Sequence, residues 1–277
     1  MAQISRKRRN LGSYSDQLLA EEIFVAMTQI KIYKKDIWLS EVLARPSYRL
    51  MIQPDISREQ IHDILAELQE EQPGQTFTYA KMSCTEVAVI PTLSTEGFYL
   101  VDTNIQFAKK GPFSATSPNG YQVRVSEKSN TVDREAVAIL AKNNFEYSRF
   151  HLDPHIPKEV ANCVKSSWAE NFYHGKRGDQ MIVAESSKGI IGFLQIIHLD
   201  AEAFLIDLIA VNRDDRGKGV AQSMISFAAS RRSSLKQIRV GTQLANKPSI
   251  GLYQQLGFVF EDAQYVFHRH QGIGTER

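Results

Sequence analysis

Between Ala203 and Ala221 the chain changes character in a way that can do chemistry. Phe204-Leu205-Ile206-Asp207-Leu208-Ile209-Ala210-Val211 reads as a buried strand. Asn212-Arg213-Asp214-Asp215-Arg216-Gly217-Lys218-Gly219-Val220-Ala221 then turns through two glycines into a helix. The first N–H groups of a helix lack partners and carry partial positive charge, so such a step can cradle phosphate. Gly217 and Gly219 let the backbone approach an anion without a Cβ in the way, and Arg216 and Lys218 add charge. The loop lacks the G-x-x-x-x-G-K-[ST] of a P-loop. Nor is it a dinucleotide fingerprint, because Gln222 takes the third glycine's place and the strand Gln237 to Thr242 has no acidic end for a ribose. What remains is R-x-x-G-x-A at Arg216, Gly219 and Ala221, followed by N-x-x-[AS]-x-x-x-Y-x-x-x-G-F at Asn246, Ser249, Tyr253, Gly257 and Phe258.

Other constellations lead elsewhere. His151 and His155 stand four apart, but Pro154 breaks any helix between them and no third ligand is near, so no metal is expected. Cys84 and Cys163 form no C-x-x-C pair; both read as buried, inert thiols in a reducing compartment. The 33 Lys and Arg against 31 Asp and Glu leave a net charge of +2 in 277 residues, which gives nucleic acid no electrostatic hold. No apolar stretch approaches the roughly 18 residues of a membrane span. Arg6-Lys7-Arg8-Arg9 is followed by no apolar run, so it is not a secretion signal and reads as a solvated tail in a cytoplasmic protein.

The elements that would position these residues fall into two units. Residues 1–20 are a polar tail, and 21–110 form a smaller first unit. In it Ser57-Arg58-Glu59-Gln60 is a capping box opening a helix with Ile61, Ile64, Leu65 and Leu68 on one face, ended by Pro73-Gly74. Thr76 to Met82 and Phe98 to Phe107 read as strands. Residues 111–120, with two prolines and two glycines, form the linker. Residues 121–270 form the second unit. It holds strands Tyr121 to Val125, Gln180 to Ala184, Gly189 to His198, Ala203 to Val211 and Gln237 to Thr242. Its helices run over Asp133 to Asn143, Pro157 to Phe172, Gly219 to Arg232 and Pro248 to Leu256, and two short strands precede a tail at 271–277. The class is mixed α/β. Gly97 to Phe107 echoes Gly257 to Phe267, with Gly, Phe, Asp and the last Phe in one register, which suggests that the first unit partly copies the second.

The paired signatures resemble those of the GNAT superfamily of acyl-CoA N-acyltransferases, over roughly residues 121–270. The two-part layout, with Tyr147-Ser148-Arg149-Phe150-His151 and the Gly97 to Phe107 strand, is similar to nucleotide-sugar N-acetyltransferases of the dTDP-fucosamine acetyltransferase type. That family's tryptophan segment is not matched; only Trp38-Leu39-Ser40-Glu41 stands there.

The resemblance implies a GNAT-like mixed sheet preceded by a partial copy, with acetyl-CoA as co-substrate and no metal. It implies acetyl transfer to a primary amine, on a dTDP- or UDP-amino sugar foremost. Arg216, Gly217, Lys218, Gly219, Val220 and Ala221 would hold the pyrophosphate. Leu208, Ile209, Ala210 and Val211 would offer free backbone to the pantetheine, with Asn246 beside it or serving as a helix cap. Tyr253 would be the general acid, since a phenol stays protonated near neutral pH. Asp102, where the family pattern has an acidic residue after G-F-x-L-V, would be the base. Ser148, Arg149, Phe150 and His151 would face the acceptor. A protein N-terminus, a lysine or another small amine is the alternative acceptor, and a non-catalytic acyl-CoA-binding module is the rival of another class. A homodimer is compatible with either.

Overall fold

The computed structural model describes residues 32–53, 55–113 and 118–272. The tail at 1–20, the start of the first unit, the middle of the linker and the last five residues lie outside the described residues.

The first unit comprises β1 (Tyr33–Lys35), α1 (Ile37–Val42), β2 (Ser47–Met51), α2 (Arg58–Glu71), β3 (Thr76–Ser83), α3 (Ile90–Thr95) and β4 (Tyr99–Lys110). The second comprises β5 (Gln122–Ser126), α4 (Thr131–Asn144), α5 (Lys158–Tyr173), β6 (Gln180–Ser186), β7 (Gly189–His198), β8 (Ala203–Val211), α6 (Val220–Ser230), β9 (Gln237–Gln243), α7 (Lys247–Gln255) and β10 (Val259–Gln271). The capping box expected before α2 is present: the Gln60 N–H donates to Ser57 Oγ and the Ser57 N–H to Gln60 Oε1. Asn130 caps α4 in the same way, accepting from the Asp133 N–H at 3.0 Å.

The ten strands among the described residues form one sheet, in the order β1-β2-β3-β10-β4-β9-β8-β7-β6-β5. Helices α2, α3, α6 and α7 cover one face and α1, α4 and α5 the other, over two apolar clusters on each face. The linker divides the chain but not the sheet. Strand β4 of the first unit lies between β9 and β10 of the second, and β10 lies between β3 and β4 of the first.

The pairing senses explain the sequence echo. β1 with β2 and β7 with β8 are antiparallel; β2 with β3 and β8 with β9 are parallel. A helix links each parallel pair, and a second helix then leads into β4 in one unit and β10 in the other. Even the helix stops match. Gly97 and Gly257 take φ of +82° and +81°, and the next N–H reaches five residues back, Phe98 to the Leu93 carbonyl and Phe258 to the Tyr253 carbonyl. The repeated Gly-Phe is thus the same left-handed helix cap used twice.

The end of the chain differs from expectation. Instead of two short strands, β10 is one strand of 13 residues, kept continuous past register shifts at Phe260/Asp262 and Val266/Phe267. It needs this length because it pairs with β4 from Val259 to His268 and with β3 from Gln264 to Gln271. Cys163 is exposed on α5 rather than buried, while Cys84 just beyond β3 is half-buried.

Because the units exchange strands, they should unfold together. Phe107 on β4 is 4% exposed and packs against Tyr253 of the second unit, with ring centroids 6.2 Å apart. Phe107→Ala should cost about 3–5 kcal/mol. In urea, tryptophan fluorescence and far-UV circular dichroism should keep one shared midpoint; a first unit melting separately would contradict the interleaving.

Candidate active site

Strands β8 and β9 pair only from Ala203/Gln237 to Ile206/Val240, although both run on to Val211 and Gln243. A bulge opens them. Ile206 pairs with Ile196 and Leu208 with Gln195, leaving Asp207 as an extra residue. The bulge also changes which way the strand faces. Phe204 and Ile206 lie in the cluster under α6 and α7, while Leu208 and Ala210 lie in the one under α4 and α5. Past the bulge, Leu208, Ile209, Ala210 and Val211 pair with β7 on one edge only, so their other edge lines the opening.

The chain leaves β8 at this opening and re-enters at α6. Gly217 and Gly219 both have φ of +77°, a region costly for residues with a Cβ, and nothing lies within 4 Å of where a Cβ would stand on either. Gly219 is the N-cap of α6, and no side chain caps this helix among the described residues. The N–H groups at Val220 and Ala221 therefore begin the helix without side-chain partners. Arg216 braces the loop, its Nε donating to the Val211 carbonyl at 3.2 Å and its Nη2 to the Asn144 carbonyl at 3.2 Å. Lys218 pairs with Asp215 at 2.8 Å on the surface.

Tyr253, on α7, is 2% exposed between Phe107 and Phe258. Burial alone pushes its phenol further above its ordinary pKa, so the hydroxyl keeps its proton. Asn246 acts as a cap, its Oδ1 accepting from the Ser249 N–H at 3.2 Å.

Asp102 lies on the opposite face. Val266 of β10 pairs with Lys81 of β3 on one side and with Asp102 of β4 on the other, so Lys81 and Asp102 point to the same face, that of α1, α4 and α5. β9 ends at Gln243 opposite Asn104, which leaves Asp102 just past its end, where the sheet opens. Burial pushes the Asp102 carboxyl up to about 6, against the downward pull of a backbone hydrogen bond from Thr103 and of Lys81, Arg149 and Lys165.

The segment between α4 and α5 lies over this face, and its four residues part company. Phe150 is 1% exposed and packs in the cluster with Phe77 and Tyr79. Arg149 is clamped between rings, its Cζ 4.0 Å from the Tyr79 centroid and 4.4 Å from Phe150, with Nη1 3.1 Å from His268 Nε2. Ser148 Oγ lies 2.6 Å from His151 Nδ1, whose Nε2 is 2.9 Å from Asn162 Oδ1.

Sequence reasoning missed the residues behind these. Asp153 accepts from His268 Nδ1 at 2.6 Å, His270 Nε2 at 2.8 Å and the Tyr99 hydroxyl at 2.7 Å. Asp153, His268 and His270 come close enough to resemble a metal set. However, an arginine only donates, so His268 Nε2 must accept from Arg149. His268 Nδ1 then carries the proton given to Asp153 and has no lone pair for a metal. The trio is a hydrogen-bonded anchor for Arg149. Asp207 is likewise spoken for, receiving Arg177 at 2.8 and 2.5 Å, Trp168 Nε1 at 2.9 Å and Gln195 Nε2 at 3.0 Å. Lys81 and Lys165 were also missed. The signal for Lys81 was a lysine on the Phe77-Tyr79-Lys81 face of an otherwise apolar strand.

The raised Asp102 pKa has a consequence for stability. Its folded value of about 6 exceeds the ordinary 3.8, so below 3.8 the carboxyl is neutral in both states, and stability falls as pH rises from there to about 6. Asp102→Asn removes that loss. Its stability relative to the wild type should rise by up to about 3 kcal/mol between pH 4 and pH 7.5 in chemical denaturation; a pH-independent difference would refute the shift.

Known proteins resemble this chain in sequence or fold. Residues 177–260 match the family model described as acetyltransferase (GNAT) domain. The Bacillus subtilis (strain 168) spore coat polysaccharide biosynthesis protein SpsD is 27% identical over 244 residues, 86% of this chain and 83% of its own length. A GCN5-related N-acetyltransferase from Sphaerobacter thermophilus superposes with a TM-score of 0.58 at 14% identity, over 91% of this chain and 85% of its own. A tandem GNAT protein from the clavulanic acid biosynthesis pathway does so with a TM-score of 0.54 at 15% identity, over 81% and 75%. These last two likenesses concern the fold alone. Among the described residues, no helix is long and apolar enough to cross a membrane. With the matched domain built around the opened strands and the uncapped helix, residues 177–260 are a GNAT acetyltransferase domain, with acetyl-CoA as its co-substrate.

Proposed function

We propose that this cytoplasmic enzyme acetylates the primary amine of a nucleotide-activated amino sugar. The observation that carries the reading is the opening between β8 and β9, with the uncapped N-terminus of α6 at the same end and Asp102 beside it on β4. The acetyl-CoA pyrophosphate would lie on the N–H groups at Gly217 to Ala221, and the pantetheine amides along Leu208 to Val211. The name of the Bacillus relative concerns polysaccharide biosynthesis, which supports a sugar acceptor.

In the proposed reaction Asp102 takes a proton from the acceptor's ammonium, and the neutral amine attacks the thioester carbonyl. The C–N bond forms, the C–S bond breaks, and the Tyr253 hydroxyl protonates the departing thiolate. Asp102 suits its part because its carboxyl titrates just below neutral pH.

We also read the first unit as a partial copy of the second, which has lost the donor site. Its helix α2 fills its own N-terminus with a capping box, β2 pairs with β3 along all five of its residues, and Leu93 stands where the second unit has Tyr253. Calorimetric titration with CoA should therefore saturate at one per chain. Gly219→Ala should weaken CoA binding at least tenfold, because the left-handed φ of +77° must relax. Two CoA per chain, or unchanged affinity, would remove the donor site from α6.

Thiol release from acetyl-CoA over dTDP- and UDP-amino sugars and amine-bearing peptides tests the acceptor. Selective turnover of one nucleotide sugar is expected. Tyr253→Phe should lower kcat by about 10²–10⁴-fold and leave CoA affinity within about twofold. Turnover of peptides alone would replace the acceptor; CoA binding without any turnover would leave a binding module.

A further inference from the structure

The face that carries Asp102 holds more positive charge than it neutralises. Asp36 accepts from the Tyr79 hydroxyl at 3.0 Å and caps α1, Asp207 is held by Arg177, and Asp153 by two histidines and a tyrosine. Each of those carboxylates already has its hydrogen-bond donors. Lys81, Arg149 and Lys165 all face Asp102, with Asp36 also partly offsetting Arg149 and Asp207 partly offsetting Lys165. Arg149 is fixed by its rings and by His268.

The two lysines differ from Arg149. Lys165 projects from α5, is 8% exposed, and its Nζ sits 4.8 Å from the ring centroids of both Phe145 and Trp168. Trp168 is itself locked by its indole N–H to Asp207. Lys81 shares its face with Asp102 two strands away, roughly 10 Å between backbones at ordinary strand spacing. Neither Nζ has a hydrogen-bond or ion-pair partner among the described residues, and neither is sealed from solvent. Desolvating an ammonium is expensive unless a counter-charge arrives.

Building on the reading of this face as the acceptor side, we infer that Lys81 and Lys165 form an oxyanion subsite, which binds a phosphate or carboxylate group of the acceptor while its amine lies at Asp102. Burial and their cationic neighbours lower both lysines to about 8, so each stays mostly protonated at neutral pH and gains most when an anion binds. An acceptor with only an amine meets repulsion here; one with an amine and an oxyanion satisfies both halves of the face.

The test uses the full chain saturated with CoA, so that the N-terminus of α6 cannot capture the probe. Inorganic pyrophosphate and, separately, glucuronate are titrated calorimetrically into the wild type, Lys81→Met, Lys165→Met and the exposed-surface control Lys188→Met. At least tenfold weaker binding in each of the first two variants, with the control unchanged, is expected. Pyrophosphate binding alone makes the group a phosphate, and glucuronate binding alone makes it a carboxylate. No binding of either probe, or equal binding in all four proteins, overturns the subsite. Should Lys165→Met fail to fold by circular dichroism, Lys81→Met decides. The amino-sugar reading fails separately: peptide-only turnover with intact, lysine-dependent pyrophosphate binding would sink that reading and keep the subsite.

Discussion

The exchange of strands β4 and β10 is the constraint on which the rest of this molecule depends. Each leaves its own unit by the same left-handed glycine stop and pairs with the other across the middle of the sheet. β4 thereby becomes the neighbour of β9, and β10 the neighbour of β3. Without the exchange, Asp102 would have no reason to stand beside the opening in the second unit's sheet. Lys81 likewise reaches that face only because β10 joins β3 to it. In the proposed reaction the first unit therefore contributes side chains to a site whose backbone belongs to the second.

The two units use one plan with opposite outcomes at their helix termini. α2 turns the Gln60 N–H onto Ser57 Oγ and the Ser57 N–H onto Gln60 Oε1, which closes the end of the helix with its own side chains. α6 starts on a glycine that has no side chain to offer. Glycine in place of a polar cap ordinarily costs only a few tenths of a kcal/mol, so α6 gives up little local stability to leave free the N–H groups that the proposed pyrophosphate site would use. The same contrast holds between the complete β2–β3 pairing and the interrupted β8–β9 pairing, where the Asp207 bulge gives up ladder hydrogen bonds to open the sheet. Stability is retained in one half and relinquished in the other.

Much of this was legible from local pattern. The capping box, the glycine pair at the start of α6 and the tyrosine in register with Gly257-Phe258 are short-range signals, because turn and cap chemistry is written within a few residues. The echo of Gly97 to Phe107 was visible too, but not that the two units interleave, since strand order depends on pairings between residues more than a hundred positions apart. The length of β10 escaped for the same reason: its polar stretch Glu261-Asp262-Ala263-Gln264 reads as a break, yet pairing with β4 carries the strand through it. Phe150 illustrates a further limit. A polar–aromatic loop reads as ligand-facing, whereas here the phenylalanine anchors the loop in the core and the arginine beside it is held by rings and by a histidine from the far end of the chain. Lys81 and Lys165 escaped because a lone lysine reads as surface until the packing above it is known.

The proposed acid and base stand on opposite faces of the sheet, and this carries a chemical consequence. Tyr253 packs in the cluster beneath α6 and α7, and Asp102 points toward α1, α4 and α5. A phenol and a carboxylate sharing one pocket would hydrogen-bond to each other, as Tyr99 and Asp153 do at 2.7 Å, and neither would be ready for a substrate. The sheet keeps them apart. The gap between β8 and β9 is where the two faces communicate, and in the proposed reaction the thioester would lie there, between the face of Tyr253 and the face of Asp102. In the proposed reaction the proton leaving the amine and the proton reaching the thiolate then travel by separate routes, and the strand that separates those routes is the one that the bulge has set free.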